Sequence, residues 1–240
     1  MEAPTLRLTG SASIDGGLIF SNLLLEAGAG EWTVLLGTSG VGKTTILKLF
    51  AGLVDGIDLE GEVSASSGSL SGQVALMAQD DLLMPWLNVI ENVMIGARLR
   101  GEKPDRVRAQ KRLLQVGLSD KADASPRALS GGQRQRVALA RTLMEERPVV
   151  LLDEPFSALD ALTRAQMQEL SAELLSDRTV LLVTHDPHEA VRLGHRIFIM
   201  TRTGLNQMPV PSGSIPRLLN APDVLQAQAA LLDQLRAHEQ

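Results

Sequence analysis

The chain has no cysteine and no tyrosine. The missing thiols exclude disulfides and thiolate metal sites, and the composition is compatible with a reducing compartment. Aromatics are scarce, with four Phe and two Trp in 240 residues, so the core has to be built from Leu, Val, Ile and Ala. No apolar run approaches the roughly 20 residues needed to cross a bilayer. The start, Met1-Glu2-Ala3-Pro4, does not read as a signal peptide. Any membrane role is therefore expected to come through a partner. A large excess of one charge is also missing. The formal net charge is −5, which gives no general affinity for nucleic acid. No internal repeat or low-complexity segment stands out. What is present suits one large α/β domain, with 44% hydrophobic and 21% charged residues.

Glycine is plentiful, and its placement is informative. Residues 37–44 read Gly37-Thr38-Ser39-Gly40-Val41-Gly42-Lys43-Thr44, a complete G-x-x-x-x-G-K-[ST] phosphate loop. Before it, Trp32-Thr33-Val34-Leu35-Leu36 is long enough for a buried strand. After it, Thr45 to Leu53 places Ile46, Leu47, Leu49 and Phe50 at helical spacing. Strand, glycine turn and helix N-terminus in that order suit a nucleoside triphosphate. The glycines let successive N–H groups turn inward around phosphate oxygens. Lys43 is expected to reach the β- and γ-phosphates, and the Thr44 hydroxyl to ligate Mg²⁺.

The remaining pattern is α/β. Leu6–Ser13 and Leu18–Leu25 read as strands joined by a turn at Asp15-Gly16-Gly17. Residues 56–72 read as short strands and turns, and Gln73–Met77 as one more strand. From 88 to 119 helical spacing takes over, punctuated by Pro104 and Gly117. Strands return at Pro148–Leu152, Thr179–Val183 and Arg196–Met200, with helices at Ala161–Ser176 and Pro187–Leu193 between them. Strands alternating with helices predict a mainly parallel sheet. Residues of about 80–147 then form an inserted helical subdomain, and the first strands an antiparallel β subdomain. Thr203–Pro216, rich in Gly, Pro and Ser, is expected to be irregular, followed by a helix over Asp223–Arg236.

Two more segments carry chemistry. Val149-Val150-Leu151-Leu152 is an apolar strand ending in Asp153 and Glu154. Doubly wound sheets bind ligands at that end of their strands. Asp153 is placed to hold Mg²⁺, and Glu154 to orient or deprotonate a water. Leu129-Ser130-Gly131-Gly132-Gln133 puts a good N-cap and two glycines at the start of a helix running to Met144. Backbone donors are again exposed to an anion, although a capped helix alone explains the same residues.

Taken in order, Gly37–Thr45, Gln79, Leu129–Gln133, Val149–Glu154, Ser157-Ala158-Leu159-Asp160 and His185 resemble the Walker A, Q-loop, signature, Walker B, D-loop and H-loop of an ABC-transporter ATP-binding subunit. The likeness runs from about residue 5 to 205. It implies a P-loop NTPase core in a single ABC ATP-binding domain spanning 1–240, with a short tail over about 205–240. It also implies two chains packed head to tail, each ATP lying between one chain's phosphate loop (including Thr45) and the other's signature. Ser130, Gly131, Gly132 and Gln133 would then face the partner's nucleotide, and Asp160 would link the two sites. Glu154 resembles the family's catalytic base. His185 resembles its switch histidine, and Gln79 its sensor of Mg²⁺ and water.

The resemblance has departures and limits. The family's adenine-stacking aromatic, in the loop between the first two strands, corresponds here to Ile14, and Thr38 stands where proline is frequent. A metal site at His185, Pro187, His188 and Glu189 lacks a matching ligand set. His188 is expected on a helix surface, and His195 and His238 belong to no motif. Leu83, Met84 and Trp86 are either contacts for a membrane subunit or the lobe's own core. A separate ATPase chain implies an importer working with a permease and, indirectly, a solute-binding protein, at the cytoplasmic face of the inner membrane. Pro85-Trp86-Leu87 and the short tail resemble the nitrate/sulfonate/taurine importers and the related thiamine-precursor (hydroxymethylpyrimidine) group, and the run Met77–Trp86 favours the latter. A non-transport ABC ATPase or a regulatory nucleotide-binding module is the alternative. The last forty residues are too few for the added regulatory domain of some relatives.

Overall fold

The computed structural model describes residues 2–201 and 204–237, so His238 and the first residue of the Thr203–Pro216 stretch lie outside the described residues. The chain divides into two compact units. The first takes residues 1–74, 147–153 and 175–240, and the second 75–146 and 154–174.

In the first unit, β1 (Leu6–Ile14), β2 (Gly17–Ala27) and β4 (Ile57–Ala65) form an antiparallel sheet in the order β2-β1-β4. Ile14 faces Gly17 across a two-residue turn. Asp15 and Gly16 both take positive φ, 49° and 75°, the pairing that suits the right-handed twist of a hairpin. Over 56–72 the fold is more regular than expected. β4 is one nine-residue strand paired with β1 from Leu6↔Ala65 to Ile14↔Ile57. Its glycines and acids carry no strand signal of their own. The ladder comes from β1.

The other sheet of this unit runs β6 (Val149–Asp153), β7 (Thr179–Thr184), β3 (Trp32–Leu36), β8 (Arg196–Thr201) and β9 (Gly204–Met208). The first four are parallel, and every residue of β3, β6 and β7 is buried. Strands covered on both faces read as unbroken apolar runs, which is why all three stand out in the sequence. β9 does not. It pairs antiparallel with β8 inside the stretch expected to be irregular, because an edge strand is stabilised by its neighbour rather than by its own polar residues. Around the sheets lie α1 (Lys43–Phe50), α7 (Pro187–Leu193) and α8 (Pro222–Ala237).

The second unit begins within β5 (Val74–Met77). It holds α2 (Val89–Val93), α3 (Ile95–Leu99), α4 (Arg106–Gln115), α5 (Gly131–Met144) and α6 (Ala161–Leu174). α2 and α4 pack on α5. Val89, Ile90, Val93, Leu113, Val137 and Leu139 are buried there. Asn88 and Glu91 close α2 with a capping box. Among the described residues no helix is long and apolar enough to cross a membrane.

Candidate functional site

β3 delivers the chain to Gly37 from a fully buried strand. Gly40 and Gly42 then take left-handed backbone, φ 81° and 103°. Gly42 is the N-cap of α1 and offers no side chain. The first intrahelical bond runs from the Ile46 N–H to the Gly42 carbonyl, 3.1 Å, which leaves the preceding N–H groups for an outside acceptor. A Cβ on Gly42 would lie 2.5 Å from Ile19 Cγ2, so any larger residue would force Ile19 to shift. The helix begins two residues earlier than its apolar spacing indicates, and it stops before Gly52, whose φ is 73°. Lys43 is buried, and its Nζ donates to the carbonyls of Gly37 and Thr38, both at 2.8 Å. The ammonium is thereby held across the loop.

The Thr44 hydroxyl donates to Asp153 Oδ2 at 2.8 Å, tying the loop to the end of β6. A hydroxyl beside a carboxylate is the hard-oxygen pair that Mg²⁺ takes from protein, the rest of its shell coming from phosphates and water. Among the described residues no group of three or more His, Asp or Glu could hold a metal ion by itself. Thr44 and Asp153 have the donor chemistry for an Mg²⁺ that arrives with the nucleotide.

β7 lies beside β3 with Thr184 opposite Leu36, so His185 leaves the sheet level with Gly37. His185 is exposed, whereas His188 is half-buried on α7. Asp186 caps α7, accepting the His188 N–H at 2.9 Å. Ile14 is the last residue of β1, half-buried, and so stands before the turn rather than within it.

The second unit carries the other expected residues. Ser130 Oγ accepts the Gln133 N–H at 3.2 Å, and Gln133 Oε1 accepts the Ser130 N–H at 2.9 Å. This reciprocal box caps α5, which begins at Gly131 rather than at Gln133. Gly131 is exposed. A Cβ on Gly132 would lie 3.1 Å from the Ala158 carbonyl, so this glycine lets α5 approach the 157–160 turn. Glu154 is half-buried with φ 49°, a strained value for a residue with a side chain. Gln135 holds it there. This buried amide donates to the Glu154 carbonyl at 2.9 Å and accepts the Ala158 N–H at 2.9 Å. Sequence reasoning missed Gln135, although a glutamine amid the apolar face of α5 was a usable signal. Asp160 caps α6 through the Thr163 N–H at 3.0 Å, and that bond holds its carboxyl below the usual carboxylate range. Gln79 is exposed just beyond β5.

Trp86 is 76% exposed and Leu82 56%, while Leu83 and Met84 are half-buried. Of the two readings left open, the lobe's core is therefore excluded for Trp86, since residues of α2, α4 and α5 fill that core without it. The loop is nonetheless held firmly. Buried Asn92 accepts the Met84 N–H at 2.7 Å and donates to the carbonyls of Met84, Leu87 and Asn88. Arg134 pairs with Asp81 at 2.8 Å, and Arg141 donates to the carbonyls of Asp81 and Leu82. These anchors carry no sequence signature.

The ABC transporter family matches residues 20–157, which contain the phosphate loop, the capped glycine turn and the Asp153-Glu154 strand end. The chain belongs to the ABC transporter family. An uncharacterized ABC transporter ATP-binding protein of Haemophilus influenzae is 42% identical over 232 residues, 94% of this chain and 95% of the relative. An aliphatic sulfonates import ATP-binding protein of Delftia acidovorans is 40% identical over 227 residues, 94% of this chain and 91% of its own. A second so named, from Agrobacterium fabrum, is 46% identical over 192 residues, 78% of this chain and 71% of its own. Among solved structures, the dimeric ATP-binding cassette MJ0796, in a post-hydrolysis state with ADP and Pi, superposes with a TM-score of 0.75. It is 28% identical and covers 87% of this chain and 100% of its own. This ABC chain is thus an ATPase with the P-loop NTPase fold.

Proposed function

We propose that this chain is the ATP-hydrolysing subunit of an importer and works as a head-to-tail pair of copies. The Thr44–Asp153 bond carries the reading, because it joins the phosphate loop to the strand end that precedes Glu154. The N–H groups of Gly37–Thr45 cradle the phosphates, and Lys43 neutralises them. Thr44 and Asp153 would hold the Mg²⁺ that arrives with the nucleotide, which would supply charge neutralisation there, and Gln79 is proposed as its sensor. Glu154 orients the attacking water and takes its proton, its backbone fixed by Gln135. His185, level with Gly37, meets the γ-phosphate. Ser130, Gly131, Gly132 and Gln133 present α5's N-terminus to the nucleotide of the second copy, and Asp160 stands beside that contact. Ile14 gives the adenine an apolar surface without stacking. Catalysis is then positioning and electrostatics on the transferred phosphoryl group.

Residues of about 80–147 serve as the helical subdomain and about 205–240 as a short tail. The exposed Leu82 and Trp86, on a loop pinned by Asn92, Arg134 and Arg141, receive a permease at the cytoplasmic face of the inner membrane. A solute-binding protein acts on the permease, and nucleic acid is no partner. Among solutes, a sulfonate-like anion has the support of the import relatives, whereas the hydroxymethylpyrimidine reading rests on the run Met77–Trp86 alone. The test is Glu154→Gln with Mg²⁺ and ATP. Turnover should fall by about 10²–10⁴-fold while a nucleotide-bound dimer accumulates in light scattering. Retained turnover without a dimer rejects the mechanism.

A further inference from the structure

We propose that Glu189 is a positioning residue for His185, acting through the hydroxyl of Thr184. The inference rests on the switch role given to His185. Glu189 lies on α7, is 3% exposed, and accepts a hydrogen bond from Thr184 Oγ1 at 2.7 Å. The same oxygen accepts the Asp186 N–H at 3.0 Å. Because the hydroxyl proton is committed to the carboxylate, a lone pair is aimed at the Asp186 N–H. The hydroxyl of the residue before His185 thereby holds the N–H of the residue after it.

The geometry also relates this turn to the phosphate loop. Thr184 is the last residue of β7 and stands in register with Leu36, one residue before Gly37. A twist at residue 184 would displace the imidazole relative to the loop without disturbing the sheet. The helix itself does not need the carboxylate, because Asp186 already caps α7. Glu189 gives Thr184 a fixed acceptor, and that hydrogen bond selects one rotamer of Thr184 and with it one path through His185.

The experiment measures steady-state ATP turnover, KM for ATP and thermal unfolding for Glu189→Ala, Glu189→Gln, Thr184→Val, Thr184→Ser and the Thr184→Val/Glu189→Ala pair. His185→Ala runs in parallel. Glu189→Ala and Thr184→Val should each lower kcat about tenfold with KM within about twofold, and the pair should lose no more than either alone. Glu189→Gln, which keeps an acceptor oxygen, and Thr184→Ser, which keeps the hydroxyl, should recover most of the turnover at matched folded fraction. In a His185→Ala background Glu189→Ala should change nothing further. Multiplying losses, a Glu189→Gln as slow as Glu189→Ala, or a kcat that simply tracks the folded fraction overturns the proposal. If His185→Ala is inactive and Glu189→Ala is fully active, this proposal alone falls. If His185→Ala itself turns over normally, the switch reading falls and this proposal with it.

Discussion

Two helices of this chain begin at glycine-rich turns, and they begin in opposite ways. α1 starts at Gly42 in left-handed backbone with no side chain over its first N–H groups. α5 starts at Ser130 in extended backbone, closed by the Ser130–Gln133 box. The first is complete only when something else supplies acceptors. The second is already stable and adds an exposed glycine face. Uncapped donors and a buried lysine suit the α1 end to an anion, which is the role proposed for it. The α5 end has no buried lysine over its donors, and Arg134 in its first turn is paired with Asp81 at 2.8 Å, so it suits a ligand whose charge is neutralised elsewhere.

The contrast breaks most readily at Gly42. Gly42→Ala sets a Cβ against Ile19 in a backbone that alanine resists, and should cost about 2 kcal/mol or more with loss of ATP binding, read by thermal unfolding and calorimetry. Ser130→Ala removes a cap whose absence α1 tolerates. It should cost about 1 kcal/mol while ATP binding to the monomer is unchanged, and Ser130→Gly should cost only a few tenths. Equal losses at both helices would erase the distinction. Ile14→Tyr adds a stacking ring and should tighten ATP binding about fivefold, near 1 kcal/mol, by calorimetry. Unchanged affinity would remove residue 14 from the nucleotide site.

The smallest effect is a pH dependence confined to the unit of α1. His195 Nδ1 accepts the Trp32 N–H at 2.9 Å where β3 begins. Burial is the main cause that holds its imidazole below the ordinary 6.5. The unfolded chain then binds the proton more readily. Stability is full above 6.5 and declines as pH falls through the lower folded value. Amide protection factors in β3, corrected for the intrinsic pH dependence of exchange, should fall on acidification while those in α5 hold, and His195→Gln should flatten the response.

Much of this site was legible because its chemistry is local. A phosphate loop needs consecutive backbone groups, so Gly37–Thr44 is written in one run. Ser130 and Gln133 cap a helix at the spacing the box demands. β3, β6 and β7 showed as apolar runs because both faces are buried. Other features had no local cause. β9 is a strand because β8 is beside it. Trp86 is exposed because other residues filled the lobe's core. Arg217, 6% exposed, donates to the carbonyls of Val191 and Gly194 at 2.7 and 2.8 Å across a separation no periodicity records.

The sequence by itself determined the nucleotide chemistry, since backbone freedom, a lysine, a threonine and a strand-end carboxylate pair are properties of short segments. Only the tertiary structure decided how the side chains are held. Lys43 lies across its own loop, Glu154 is strained and fixed by Gln135, and His185 is bracketed by Thr184 and Glu189. The Gln135–Glu154 bond joins residues 19 positions apart that meet only in the packed chain, and the two shorter-range bonds close turns whose course the buried strands before them set. The energetics of burial enforce them: a polar group taken out of water must find a partner wherever the fold leaves one.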